Sequence, residues 1–331
     1  MQIKEIYRPI SKEMAEVEAL IGARLKNSGN DSVLMLGNYL LHSGGKRLRP
    51  ALVTLSARAA IGNGIAETFD PVIKVASAIE LIHMASLIHD DVVDHSAMRH
   101  NKPTINAKWG EDVSLILGDY LYSIGFDLIS SCNNPDVLEC ISQAARMMCE
   151  GELIQVCERD NLHLLEKGYI TIVKNKTANL FAASCQAGIL AIGRDTKVKD
   201  MFKDYGLNFG IAFQIADDSM DLIGNREELG KEPGADFKMG ELTMPFLNLI
   251  SIYKDKDKKK LYKLISQKNS KKAFKELRRM FIDSGAMEKT KSDIAFYADK
   301  AKESLKGLED SPFKESLFAL ADFMVDRIKA R

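Results

Sequence analysis

The sequence predicts an all-α fold, on three observations. Apolar residues recur at three- and four-residue steps through most of the chain, alternating strand patterns are almost absent, and no Gly/Ser-rich or Pro-rich linker divides it. With 331 residues, 46% of them hydrophobic, the chain can enclose a large core, and a single domain over residues 1–331 is expected. Its 46 basic and 46 acidic residues cancel, so nucleic acid is not an expected partner.

Taken in order, Ser11 is placed to cap a helix whose apolar positions are Met14, Val17, Leu20, Ile21 and Leu25, ending near Gly29 and Asn30. Further helical patterns run over 32–41, 50–60, 72–93, 112–130, 135–160, 166–192 with a break near Thr171, and 198–222. From Val72 onward these helices are apolar nearly all round, which places them inside a bundle. From Lys254 the segments KDKDKKK and KNSKKAFKELRR set solvated charges around sparser apolar positions such as Leu261, Leu264, Phe274 and Leu277, the pattern of surface helices.

Lys4, Glu5, Arg8 and Lys12 interrupt the N-terminus, so no signal-peptide core is present there. The longest uncharged run, 177–193, contains Asn179, Ser184 and Gln186 and falls short of the roughly 20 apolar residues a membrane span needs. A cytoplasmic protein is expected. Cys132, Cys140, Cys149, Cys157 and Cys185 form no CxxC pair and read as packing residues rather than a disulfide framework or zinc site.

Against this apolar background, LIHDDVVDHSAMRH (87–100) sets Asp90, Asp91 and Asp94 in a helix that otherwise reads as buried. Carboxylates taken out of water need a cation or several donors. Asp90 and Asp94 share a helix face, with His83 two turns earlier on about the same side. FQIADDSMD repeats the arrangement, placing Gln214, Asp217, Asp218 and Asp221 on one polar stripe. Two such clusters supply hard oxygen ligands suited to Mg²⁺, which bridges one or two carboxylates to substrate phosphates. Cations are interleaved with them: Lys46, Arg47 and Arg49 in GGKRLRP, then Arg99, the Lys176–Thr177 pair, and Lys231 in GKEPGAD.

In order and spacing, GGKRLRP, IELIHMASLIHDDVVDHSAMRHNKPT, EGELIQ, KTANLF and FGIAFQIADDSMDLIGNREELGKEPGADFKMGELTMP resemble the trans-isoprenyl diphosphate synthases, or polyprenyl synthetases, from about residue 5 to the C-terminus. The resemblance implies an isoprenoid-synthase-type helical bundle around a deep central cavity, working as a homodimer. It implies that isopentenyl diphosphate is condensed head-to-tail onto an allylic prenyl diphosphate, with Mg²⁺, three ions per active site with substrate, and that the product is handed to the membrane. By match to the family motifs, Asp90, Asp94 and Asp217 are the expected direct Mg²⁺ ligands, with Asp91, Asp218 and Asp221 supporting them. Arg99, Lys176, Thr177, Gln214 and Lys231 are expected on the allylic diphosphate, and Lys46, Arg49 and His83 on isopentenyl diphosphate.

Two positions depart from the family pattern. The paired arginines after the first motif read Arg99–His100, leaving His100 to offer a donor to isopentenyl diphosphate that is only partly charged near neutral pH. The GKxTxP motif reads GELTMP, which puts Glu241 where a lysine is expected; Lys238 is the nearest substitute, and Glu241→Lys is expected to tighten allylic binding. These changes keep open a catalytically weak subunit of a heteromeric synthase. A class I terpene cyclase is disfavoured by GGKRLRP and DDSMD. Upstream of Asp90, the side chains expected to set product length are Ala85 and Ser86, then Ile82, then Ala78. None is aromatic, so a medium- or long-chain, octaprenyl-type product is expected rather than a farnesyl- or geranylgeranyl-type one.

Overall fold

Long apolar runs punctuated by glycine, proline and asparagine fold almost entirely into helices. The computed structural model describes residues 2–42, 44–62, 69–193, 196–225, 230 and 232–329. In chain order the helices are α1 (Ile3–Ile6), α2 (Ser11–Lys26), α3 (Asp31–Leu41), α4 (Leu48–Ile61), α5 (Asp70–Val93), α6 (Ile105–Trp109), α7 (Glu111–Ser130), α8 (Pro135–Cys157), α9 (Glu166–Val173), α10 (Asn179–Ala191) and α11 (Thr196–Ile223). They continue as α12 (Ala235–Met239), α13 (Met244–Ile252), α14 (Asp255–Ile265), α15 (Lys271–Asp283), α16 (Ala286–Ser304) and α17 (Pro312–Lys329). Two-residue strands β1 (Met98–Arg99) and β2 (Lys102–Pro103) pair antiparallel between α5 and α6.

Contacts divide the chain into two compact units. The first comprises Met1–Ala145, Leu180–Gly206 and Ser304–Leu320. Its centre is α5, whose Val75, Ala76, Ala78, Ile79, Leu81, Ile82 and Ala85 are fully buried. Glycines let α7 lie close against it: a Cβ at Gly125 would stand 3.0 Å from Ile82 Cγ1 and 3.2 Å from Ala78 O, and one at Gly118 would overlap the His89 ring. Gly188 of α10 likewise abuts the Val53 carbonyl of α4. Both α5 and α7 are long and apolar enough to cross a membrane by length and composition; 78% of the α5 window is buried inside the protein.

The second unit comprises Arg146–Asn179, Leu207–Glu303 and Ala321–Arg331. Phe237 packs against Phe274 and Phe246, with ring centroids 5.6 and 6.4 Å away. Arg278 Nη2 donates to the Ile223 carbonyl (2.6 Å), capping the C-terminus of α11. As expected, α14 and α15 are surface helices with Leu261 and Leu277 buried and Lys263 and Lys275 exposed.

Two local expectations are corrected, and one element is new. Ser11 is the first residue of α2 and caps nothing by its side chain, because the 3₁₀ turn Arg8–Ile10 leads directly into the helix. The break in 166–192 falls not at Thr171 but at a π-helical turn, Lys174–Ala178. The β1–β2 hairpin was not anticipated; its turn residues His100 and Asn101 have φ of 49° and 61°, the left-handed pair a two-residue hairpin loop requires.

Candidate functional site: two acidic helix segments and their partners

In the first unit, α5 runs out at its acidic end, with Asp94 as C-cap. Asp90 and Asp94 are partly exposed, whereas Asp91 is buried. Arg99 explains the difference. Its Nε lies 3.0 and 3.1 Å from the two Asp91 carboxylate oxygens and its Nη2 2.9 Å from Oδ1, a bidentate pair presented by the hairpin. Asn106 adds a hydrogen bond to the Asp91 carbonyl (3.2 Å). The second aspartate of the motif therefore fixes the cation that follows it, and His100 stands exposed at the hairpin tip.

The GGKRLRP loop sorts its three cations into different roles. Arg47, at φ 50°, turns inward to Glu18 (2.6 Å) and Glu80 (2.9 Å), and Tyr7 Oη donates to the Lys46 carbonyl (2.8 Å), so the loop is strapped to α2 and α5. Lys46 remains exposed. Arg49 is buried, stacked 4.2 Å from the Phe181 ring centroid, and its Nε has no hydrogen-bond partner among the described residues. Burial lowers its pKa to about 10 while Glu80 and Asp90 oppose the fall, so it stays a cation at neutral pH. His83 is held well below its usual pKa by burial and by Arg49, Arg99 and Arg47. It is a neutral donor–acceptor among cations.

In the second unit, α11 repeats the logic. Asp218 is buried and accepts from Tyr169 Oη (2.6 Å) and Gln214 Nε2 (2.7 Å), while Thr177 Oγ1 donates to Gln214 Oε1 (2.8 Å). Burial pushes Asp218 up to about 7, against the pull of the two hydrogen bonds and with help from Asp217 and Glu241. Asp217 is exposed and meets Arg327 of α17 at 3.0 Å. Asp221 Oδ2 accepts the Asp236 amide (3.1 Å) and its carbonyl accepts that of Gly234 (2.9 Å), pinning the chain where it returns from the GKEPGAD loop. Lys231 itself lies outside the described residues.

The π-helical turn carries Lys176 and Thr177 and rests on α8 at Gly151, where a Cβ would stand 2.8 Å from the Asn175 carbonyl carbon and the Lys176 Cα. Lys176 Nζ pairs with Glu152. Glu241 is not an open acid: Arg159 reaches it through Nε and Nη2, both 3.0 Å from Oε1, and Gln155 donates to its other oxygen. Lys238, the expected substitute cation, is exposed beside a shallow cleft lined by Ser266 to Ser270. Glu80, Gly151, Glu152, Arg159, Tyr169 and Arg327 were not anticipated as site residues; of these, Glu80 lies within the IELIHMASLIHDD match and Gly151 and Glu152 within EGELIQ, while Arg159, Tyr169 and Arg327 carried no signal.

Among the described residues no three acidic, histidine or cysteine side chains converge into a metal cage. Mg²⁺ does not need one, since it keeps several waters and takes one or two carboxylates together with substrate phosphates. The partly exposed Asp90 and Asp94, one turn apart, and the exposed Asp217 are donors of that kind.

An all-α chain with two such carboxylate segments and buried or half-buried cations set beside them defines a trans-prenyltransferase of diphosphate-activated substrates. Comparison with known proteins gives the family: residues 31–281 match the Polyprenyl synthetase family, and the chain belongs to it. It is 34% identical over 327 residues to octaprenyl diphosphate synthase of Escherichia coli (strain K12), covering 99% of each chain. It is 31% identical over 333 residues to a short chain isoprenyl diphosphate synthase of Methanothermobacter thermautotrophicus, again covering 99% of each. A polyprenyl synthase from Caulobacter crescentus CB15, solved with calcium and isoprenyl diphosphate, superposes with a TM-score of 0.91 at 36% identity, covering 98% of this chain and 97% of that one.

Proposed function

We propose that the protein condenses isopentenyl diphosphate head-to-tail onto an allylic prenyl diphosphate and repeats the step to a medium- or long-chain all-trans product. The observation that carries the reading is the division of labour within each acidic segment. Asp91 and Asp218 are buried on protein partners, and Asp90, Asp94 and Asp217 are at least partly exposed. Asp90 and Asp94 on the first segment and Asp217 on the second would hold Mg²⁺, with Asp221 fixing the backbone beyond the second segment. When bound with substrate, Mg²⁺ supplies positive charge to the leaving diphosphate. Arg99, Lys176, Thr177, Gln214 and Lys231 orient the allylic diphosphate, and Lys46, Arg49 and the neutral His83 hold isopentenyl diphosphate so that its double bond faces the allylic carbon. No nucleophilic side chain is required.

Sequence identity does not choose the product length, since octaprenyl and short-chain synthases are matched at 34% and 31%. The α5 side chains support the longer product: Ala85 and Ser86, directly upstream of Asp90, are small, and so is Ala78 two turns further back. We further infer a homodimer, for which the exposed Leu115 (47%) and Ile116 (70%) of α7 offer an apolar face, and a cytoplasmic setting, which the five free cysteines suit.

The test is direct. The protein is incubated with Mg²⁺, labelled isopentenyl diphosphate and allylic primers of several lengths, and the products are resolved. Medium- or long-chain products are expected, lost on chelation and cut by orders of magnitude in Asp90→Ala and Asp217→Ala with the fold retained. Near-normal turnover in either variant refutes the assignment of those ligands, and a main product of fifteen carbons refutes the length.

A further inference from the structure

We infer that Arg159 supplies the cation that the GKxTxP motif places at position 241 in related synthases, and that Glu241 serves as its anchor on the allylic diphosphate side of the second acidic segment. This rests on the reading of the protein as an enzyme that binds an allylic diphosphate.

A carboxylate at position 241, taken alone, would repel the diphosphate. The structure does not leave it alone: the Arg159 guanidinium lies on it through two nitrogens, both at 3.0 Å, and Gln155 donates to its second oxygen. Arg159 and Glu241 are largely buried, their side chains 17% and 10% exposed. An arginine held by a carboxylate in this way is a preorganised cation, fixed in direction before any ligand arrives.

Its position follows from α8. Glu152 and Gln155 are three residues apart on one face, and Arg159 lies in the turn that continues the helix. Glu152 grips Lys176, the expected diphosphate contact, and the same face one and two turns on grips Glu241. One polar face of α8 therefore touches both ion pairs, Glu152 pairing with Lys176 and Gln155 donating to Glu241. The pair is tied to the second aspartate segment through the backbone: the Glu241 amide donates to the Asp236 carbonyl (2.9 Å), and the Asp236 amide donates to Asp221 Oδ2 (3.1 Å). Lys238 is exposed and turned to the cleft lined by Ser266 to Ser270, so it does not fill the role.

This assignment reverses the expectation for Glu241→Lys. Lysine there would face Arg159 with like charge in a largely buried site, so the single substitution should weaken rather than tighten binding.

The experiment measures binding of a hydrolysis-resistant allylic analogue, farnesyl thiolodiphosphate, with Mg²⁺ by calorimetry, alongside melting temperature. Arg159→Gln should raise Kd about tenfold or more, as expected for losing one charge-assisted contact. Glu241→Lys should raise it as well. Arg159→Gln combined with Glu241→Lys should return Kd to within about threefold of wild type, because one cation is restored and no like-charge pair remains. Arg159→Lys, which keeps the charge and loses the fork, should fall between and covers the case in which Arg159→Gln does not fold. An unchanged Kd in folded Arg159→Gln overturns the inference, as does a folded double variant that binds no better than Arg159→Gln. Wild-type protein that does not bind the analogue overturns the synthase reading itself.

Discussion

Gly151→Ala isolates the packing that sets Lys176 and Thr177 in place. The added Cβ would stand 2.8 Å from the Asn175 carbonyl carbon and from Lys176 Cα, and closer still to the Lys176 amide nitrogen. Ordinary carbon–carbon contact is about 3.5 Å, so α8 and the π-helical turn must separate by roughly 0.7 Å or more. All the obstructing atoms are backbone, so no side chain can swing away. Overpacking of this kind costs about 1–3 kcal/mol, partly offset by about 1 kcal/mol from replacing glycine inside a helix. Melting temperature should therefore fall by only a few degrees. Activity should suffer more, because the displaced turn carries Lys176 and also Thr177, whose hydroxyl donates to Gln214 and through it reaches Asp218. A misplacement approaching 1 Å can cost on the order of 100-fold in rate. The assay compares kcat/KM for the allylic substrate with thermal unfolding of the same preparation. A Gly151→Ala enzyme within threefold of wild type would show that the turn tolerates the shift and that its seating on α8 does not position the site.

The remaining predictions concern pH and product length. His83 has its pKa lowered in the folded state, so below about pH 6.5 the unfolded chain takes up a proton that the folded protein resists, and stability should fall as pH drops. His83→Asn should remove about 1.4 kcal/mol of that loss per pH unit below 6.5, read as a flatter melting temperature between pH 7.5 and 5.5; an unchanged slope refutes it. Ala85→Phe and Ser86→Phe should each shift the main product to a shorter chain while condensation persists. Ala85→Phe should be the less stable of the two, since Ala85 shares the buried α5 face with Ala78 and Ile82, against which Gly125 packs. Unchanged product length in both variants removes α5 from length control.

The helices were legible because their apolar positions repeat every three or four residues over ten or more residues, and that signal survives errors at the ends. Thus 112–130 was read and Glu111–Ser130 is observed, and 32–41 became Asp31–Leu41. The elements that failed are those with no periodicity. The β1–β2 hairpin depends on two left-handed residues at His100 and Asn101, and the π-helical turn at Lys174–Ala178 packs against Gly151 of a different helix. Even Gly151, inside a matched motif, gives no sign in the sequence of what it lies against.

The site was legible as composition and only partly as arrangement. Six aspartates on two helices could be named from spacing, but spacing treats the members of each DDxxD nearly alike. What separates them is the partner that claims the second one: Arg99 eight residues after Asp91, and Tyr169 forty-nine residues before Asp218. The surroundings of position 241 are hidden from the sequence for the same reason. Read locally, GELTMP loses a cation; in the folded unit Glu241 is paired with Arg159, 82 residues earlier, and Gln155 completes the pairing from 86 residues away. A carboxylate's charge is given by its own residue, but its effect on a ligand is given by what neutralises it. Motif matching carries the first and not the second. A departure from a motif therefore argues for lost function only after the side chains packed around it have been counted, and at Glu241 that count finds a neutralised ion pair rather than a bare carboxylate.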